Sequence, residues 1–441
     1  MEKINLGIVS QTPVVRLSKN PGRDIVKLSE LDKQDYTYTV GGVAPMIKSQ
    51  LVELIGSGFL RKATWFSLNP NAPKNIIISK GIDAVSVHLE HESSKGYTKF
   101  KEDVWNNVHN LSTSTFTIKS YLGYFKYNSE LAKIMLQNYE DINLFEIHDF
   151  QQLLLGAMLG PSFPTILRWH IPFVPEILNK NIRKFVVNGL EGNDAVIVST
   201  KRDLEGLIRA GYKGNAYQIY PHIDPSEWKK VERSRMDEFA NRFGIMNGDF
   251  LVLNVARMDE IKSQDDLVKA VALLKNRKIK LMLVGGGSFT SNNLGYPKSE
   301  IWLGKLKTLV KRLGMEDRVI FAGSLNHSDL ECAYTRADLF VLPSRTEGFG
   351  LVVVESWLYN TPAVVSDGAG VSELVMNGIN GFTFRSGNFN ELAISIFKIY
   401  KDDKMRVEMG ASARGMARAC YVSTTIGIIQ KAYESAIENF A

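Results

Sequence analysis

The sequence predicts an α/β protein made of two doubly wound, mainly parallel sheets. Three observations carry that prediction. Short runs dense in Val, Ile and Leu recur along the chain, such as "LVLNVA", "LMLV" and "LFVLP". They are continuous rather than alternating, as strands buried on both faces require. Between them stand amphipathic stretches with helical spacing, several closed by glycine. The alternation breaks once in the middle, at "YPHIDPSEW" (220–228), where Pro221 and Pro225 interrupt it.

The second half is the plainer one. "DFLVLNVAR" (249–257) is a strand, and "SQDDLVKAVALLKN" (263–276) is a helix with Ser263 in the N-cap position. "KIKLMLVGGG" (278–287) is a strand running into three glycines. "EIWLGKLKTLVKRLG" (300–314) is a helix ended by Gly314. Strand "DRVIFAGS", helix "HSDLECAYTRA" and strand "DLFVLPS" follow, then a helix from about Gly350, strand "PAVVSD" and helix "VSELVMNG". Strands alternating with helices in this way make a parallel sheet covered on both sides.

The first half repeats the pattern with longer interruptions. Its strand candidates are "INLGIVS", "AVSVHLE", "LFEIHD", "TILRWHI" and "AVIVST". Helices are expected near 43–56, 121–139, 150–159 and 175–192. We therefore place one domain at 1–225, a second at 226–420, and a terminal helix at 421–441 that packs back on the first.

Composition narrows the class. The chain has 441 residues, is 44% hydrophobic and 23% charged, and carries a net charge of +6. That suits a globular protein with room for two cores. Lys and Arg are scattered, so nucleic acid is not an expected partner. No run is long and apolar enough to span a membrane. The start, "MEKINLGIVSQTP", lacks the pattern of a signal peptide. Two cysteines, Cys332 and Cys420, make neither a disulfide framework nor a metal cluster, which points to the cytoplasm.

Polar residues collect where strands end. Arg257, Asp259 and Lys262 follow the first strand of the second half; Gly286 and Gly287 follow the next. Ser324, then Arg345, Thr346 and Glu347, then Asp367, Gly368 and Gly370 follow the others. Ligands of such sheets bind beyond the carboxyl ends of the strands. In "SRTEGFGLVVVESW" (344–357), Gly348 and Gly350 let backbone amides approach a ligand at a helix start, with Phe349 between them and Leu351 next. Free N–H groups and the helix dipole favour phosphate there. Arg257 offers a planar fork and Lys262 a point charge for a pyrophosphate. Glu347 and Glu355 are suited to sugar hydroxyls and a second diol. A nucleotide-sugar holds these parts in order: sugar, diphosphate, ribose.

Residues 344–382 resemble the donor-site signature of retaining glycosyltransferases of the two-Rossmann-domain (GT-B) type, as in glycogen-synthase-like families. The first half resembles trehalose-6-phosphate synthases in "VVRLSK" (14–19), "TVGGVAPMI" (39–47), "GYTKFKEDVW" (96–105), "YLGYFKYNSELAKIM" (121–135), "EIHDFQQLLLGAML" (146–159) and "LRWHIPFVPEIL" (167–178). The donor signature reads "EGFGLVVVE" where those synthases place Asp-Gly-Met-Asn-Leu before the Glu. Their phosphate-binding Arg has no counterpart, and Lys298 is the one candidate in its place.

The resemblance implies a site. Gly42 would lie under the donor, Arg257 and Lys262 on the diphosphate, Glu347 on the transferred sugar and Glu355 on the ribose. His170 would sit beside the anomeric carbon and Asp149 beside the acceptor or transferred sugar. Arg16, Tyr97, Trp105 and Trp65 would line the acceptor pocket. Asp149 also stands where an N-cap for 150–159 belongs, and Trp65, Tyr97 and Trp105 also suit a core.

The reaction implied is retaining transfer of glucose from UDP-glucose or GDP-glucose to glucose 6-phosphate, across a cleft between the domains. The leaving phosphate would take the acceptor's proton, so no side-chain base is required. No Asp-x-Asp pair ends a strand, so neither a metal nor another cofactor is expected. Free glucose, a glycan or a lipid as acceptor, or a non-catalytic nucleotide-sugar-binding protein, stay open, as does a homo-oligomer.

Overall fold

The computed structural model describes residues 3–39, 43–69, 72–111, 113, 115–138, 141–286 and 298–440. It divides into two units. One runs to Ile223 and takes the chain back from Val422; the other is Asp224–Tyr421.

In the first unit the strands are β1 (Ile4–Val9), β2 (Val15–Leu17), β3 (Ile25–Lys27), β4 (Tyr36–Tyr38), β5 (Leu60–Leu68), β6 (Asn75–Ser79), β7 (Ile82–Val87), β8 (Leu144–His148), β9 (Thr165–Trp169), β10 (Ala195–Val198) and β11 (Asn215–Gln218). Nine form one sheet, ordered β11-β10-β9-β8-β1-β5-β7-β6-β3, while β2 and β4 pair separately. Pairing is parallel from β11 to β7, but β6 runs antiparallel to β7. The expectation of a parallel sheet thus holds for its centre and gives way at one edge.

Alternation along each strand splits the core in two. Val196 and Val198 of β10 join Val9, Phe66, Phe145 and Trp169 under the helices His91–Val108 and Ile118–Asn138. Ala195 and Ile197 join Ile8, Trp65 and Leu144 on the other face. That second face is covered by the helix Val43–Gly56 and by the terminal helix Val422–Phe440, through Ile429 and Tyr433. The two segments of this unit meet where Val422 N–H donates to the Ile223 carbonyl at 3.0 Å. The helix expected near 150–159 is a 3₁₀ turn, Phe150–Gln152, followed by a short helix, Leu155–Leu159.

The second unit holds β12 (Phe250–Val255), β13 (Ile279–Val284), β14 (Val319–Gly323), β15 (Leu339–Leu342), β16 (Ala363–Ser366) and β17 (Gly381–Phe384). All six are parallel, in the order β14-β13-β12-β15-β16-β17. Counted from β12 this is 3-2-1-4-5-6, the doubly wound order, which reverses between β12 and β15. "VSELVMNG" is not an α-helix but a 3₁₀ turn, Gly370–Leu374. Ser263 sits at the start of the helix Gln264–Leu273, yet its hydroxyl caps nothing. Its backbone is left-handed (φ 50°), and its carbonyl takes the Asp266 N–H instead. Both cysteines are buried free thiols. Among the described residues no helix is long and apolar enough to cross a membrane.

Candidate active site

The reversal between β12 and β15 brings the predicted donor residues of the second unit together. Beyond β12 the chain makes a 3₁₀ turn, Glu260–Lys262, begun by Asp259, whose carboxylate accepts from Ile261 N–H. Beyond β15 it carries Ser344, Arg345 and Glu347. The two loops are tied by Arg345 N–H donating to the Ile261 carbonyl at 2.8 Å. Lys262 Nζ forms an ion pair with Glu347 Oε2, the side chains only 12% and 23% exposed. Ser344 Oγ lies 3.4 Å from the same carboxylate oxygen. Arg257 is more open; its carbonyl accepts from Gln264 Nε2 at 2.8 Å, and its guanidinium reaches Asp259 at 4.0 Å.

Glycines shape this end of the sheet. A Cβ on Gly285 would stand 1.9 Å from the Ala256 carbonyl oxygen, so the ends of β12 and β13 close up only around hydrogen. Gly350 (φ 106°) opens the helix Leu351–Leu358. Glu347 is pinned by its backbone, its N–H to Gly368 and its carbonyl to Gly370 N–H, each at 3.1 Å. Gly348 and Phe349 are buried beside it, and Phe349 holds Val371 N–H at 2.9 Å. Glu355 lies in the second turn of that helix, half-buried, and accepts from Tyr334 O–H at 2.7 Å. Burial raises its carboxyl above the ordinary value; the Tyr334 bond and nearby His327 pull the other way. Lys298 begins the helix Lys298–Arg312 as an exposed residue.

In the first unit, Asp149 and His170 stand together where β8 and β9 end. Asp149 Oδ1 accepts from His170 N–H at 2.9 Å, and Asp149 N–H donates to Arg168 at 2.8 Å. It stands at the N-cap position of the following turn, but its side chain makes no capping hydrogen bond there. Its backbone is in a rare region (φ 65°, ψ 179°), a strain of about 1–3 kcal/mol that sites of this kind hold. Burial pushes its carboxyl up to about 7, against the hydrogen bonds from His170 and Ile171. The folded protein therefore favours the protonated acid. That stabilisation is complete below the ordinary value of 3.8 and is lost as pH rises through about 7. Asn keeps an acceptor at the same atom and, being of nearly the same shape, bears the same backbone strain as the native Asp. Asp149→Asn should accordingly gain stability relative to the native protein between pH 5 and pH 8; equal denaturant midpoint shifts would refute it.

Two acceptor assignments need correction. Trp65 is fully buried in the core on one face of the nine-stranded sheet, its indole N–H donating to Ser10 Oγ at 3.2 Å. Tyr97 is buried in the core on the other face, against Tyr127 at 4.5 Å. Adjacent strand residues point to opposite faces, and it is Phe66, not Trp65, that shares the side of Tyr97. One pocket cannot be lined by both. Trp65→Phe should cost about 1–2 kcal/mol in stability without moving any acceptor KM. Trp105 is half-buried and stacks on His109 at 3.9 Å. Arg16 is half-buried in β2, and burial lowers its guanidinium from the ordinary value. Gly42 lies outside the described residues.

A buried polar network beside His170 escaped the sequence reading. Glu146 and Arg168 sit in otherwise apolar strands, and His148, paired in register with Arg168, follows two residues after Glu146. Charges inside continuous apolar strands were the available signal, since such groups are retained only with partners.

Residues 235–416 match the family model of glycosyl transferases group 1. The second unit carries a group 1 glycosyl transferase domain. Mannosylfructose-phosphate synthase of Agrobacterium fabrum is 30% identical to this chain over 237 residues, 53% of this chain and 51% of that protein. The chain thus spans about half the length of that curated relative. Sucrose-phosphate synthase from Thermosynechococcus elongatus superposes with a TM-score of 0.75 and 19% identity, over 99% of this chain and 100% of its own. The trehalose-6-phosphate synthase OtsA, and an E. coli trehalose-6-phosphate structure bound with UDP-2-fluoro glucose, each give 0.77 and 17%, over 98% and 99%. The likeness to these structures shows the fold, which is GT-B.

Proposed function

We propose that this protein is a retaining glycosyltransferase that moves glucose from a nucleoside-diphosphate glucose to a hexose phosphate, with glucose 6-phosphate as the first candidate acceptor. The reading rests chiefly on the Lys262–Glu347 pair, half-buried where the strand order reverses and flanked by the Gly350 helix start. Lys262 and Arg257 neutralise the departing diphosphate, and Glu347 takes the sugar's hydroxyls. Glu355, oriented by Tyr334, holds the ribose. Asp149 and His170 are the first unit's own candidates for contact with a sugar hydroxyl. The leaving phosphate oxygen accepts the acceptor's proton as the new bond forms on the same face. Cations aimed at charge that develops on the leaving group contribute about 2.7–4 kcal/mol each in a dry site.

A fructose phosphate is the second acceptor to consider, because the relative in Agrobacterium fabrum and the sucrose-phosphate synthase both carry sugar phosphates in their names. The deciding experiment offers UDP-glucose and GDP-glucose separately, each with glucose 6-phosphate, fructose 6-phosphate or glucose, with and without EDTA. Product mass and linkage identify donor, acceptor, stereochemistry and metal need. Release of nucleoside diphosphate without a glycosylated product in every pairing would overturn the reading.

A further inference from the structure

His170 does not stand alone at the end of β9. His148 Nδ1 lies 2.9 Å from His170 Nε2, with the two rings 8° from parallel. On the far side of His148, its Nε2 lies 3.8 Å from Glu146 Oε1. Residues two apart on a strand share a face, which is why β8 aligns Glu146 with His148. Glu146 is fully buried, and its other oxygen accepts from Gln50 Nε2 at 2.7 Å and from the Tyr433 hydroxyl. Arg168 Nη1 stands 3.9 Å from Oε1 and donates to Gln50 Oε1 at 2.9 Å. Among the described residues, neither Glu146 Oε1 nor His148 Nε2 has a hydrogen-bond partner, although both are buried, and the 3.8 Å between them is too long for one.

This arrangement decides where the imidazole protons sit. Glu146 accepts two hydrogen bonds at Oε2, and across the 3.8 Å gap its Oε1 acts on His148 by electrostatics alone; that favours hydrogen on the nitrogen facing it, since the reverse would set lone pair towards lone pair. A neutral His148 protonated on Nε2 has an acceptor at Nδ1. His170 must then donate from Nε2, which leaves its own Nδ1 as an acceptor. Burial keeps both rings neutral: His148 is pushed down to about 4, and His170 well below its ordinary value.

We infer that Glu146 and His148 are positioning residues that hold His170 with its proton on Nε2 and a hydrogen-bond acceptor at Nδ1, ready for a hydroxyl of the transferred sugar. The use of that acceptor rests on the sugar-transfer reading; the tautomer does not. The test is two-bond ¹H–¹⁵N correlation on the full chain labelled at histidine. His148 and His170 should both show protonated Nε2 and bare Nδ1, and a proton on Nδ1 of either ring overturns the inference. Glu146→Gln, whose amide can face His148 with donor or acceptor, should mix the His170 tautomers. It should also lower kcat by about tenfold or more while leaving nucleoside-diphosphate affinity in place. A single unchanged His170 tautomer in that variant refutes the coupling. Tyr433→Phe keeps the carboxylate and should keep both tautomers. If the native spectrum is as expected but no sugar is transferred to any acceptor, the positioning chain stands and the transferase reading falls.

Discussion

Lys262→Ala should abolish sugar transfer, lowering kcat/KM by about 10²–10³-fold or more with the fold intact. The side chain is only 12% exposed and its ammonium is directed at Glu347, so the charge is fixed where the strand order reverses rather than waving in solvent. A fixed charge needs no reorganisation when the diphosphate leaves, which is what makes it worth more than a surface lysine. Arg257→Ala should act in the same direction through a more open guanidinium. Steady-state kinetics with circular dichroism and calorimetric nucleotide titration measure this. Near-full turnover in either variant would mean that the donor binds somewhere else.

Gly285→Ala should cost the second unit about 3–5 kcal/mol, because overlap with backbone admits no rotamer escape. Its φ is +138°, and the added carbon would sit 1.9 Å from the Ala256 oxygen and 2.8 Å from the Ala256 carbon. Relief requires moving β12 against β13, and with them the turn that carries Arg257. Gly304→Ala is the opposite case: the position is helical and exposed, with nothing within 4 Å of the new carbon. It should add about 0.5–1 kcal/mol of stability. Urea denaturation of the two variants should move in opposite directions, and a harmless Gly285→Ala would show that the strand ends are free to part.

What the sequence made legible follows from range. In the second unit the strands β12 to β16 are continuous apolar runs, and all five were readable. β17, "GFTF", is four residues long and lies just after the Asn-Gly turn chemistry of 377–380, too brief for a pattern. The partners Lys262 and Glu347 were each visible, but their pairing across 85 residues depends on the strand order. In the first unit β5 begins "LRK" and reads as surface. The helix His91–Val108 is not among the expected ones, and it carries Gly96, a residue of low helix propensity, in its second turn. Its reason is another helix: a Cβ on Gly123 would stand 2.7 Å from Gly96 Cα, so the two backbones touch there. Trp65 joined the acceptor residues through the resemblance alone, because β5, whose alternation fixes its face, is not among the expected strands. The buried chain of Glu146, His148 and His170 joins local residues, yet its closing donor, Tyr433, comes from 287 positions away.

The hydrogen bond from Val422 to Ile223 makes the first unit a host and Asp224–Tyr421 an insert. Translation delivers the insert as one contiguous piece, free to fold as soon as it clears the ribosome. The host must wait, one side of its sheet lacking Ile429 and Tyr433 until the helix Val422–Phe440 emerges. During that interval the nascent chain exposes apolar surface that chaperones recognise. Splicing Ile223 directly to Val422 would cut out the guest at a seam already stitched, and spare the host its delay.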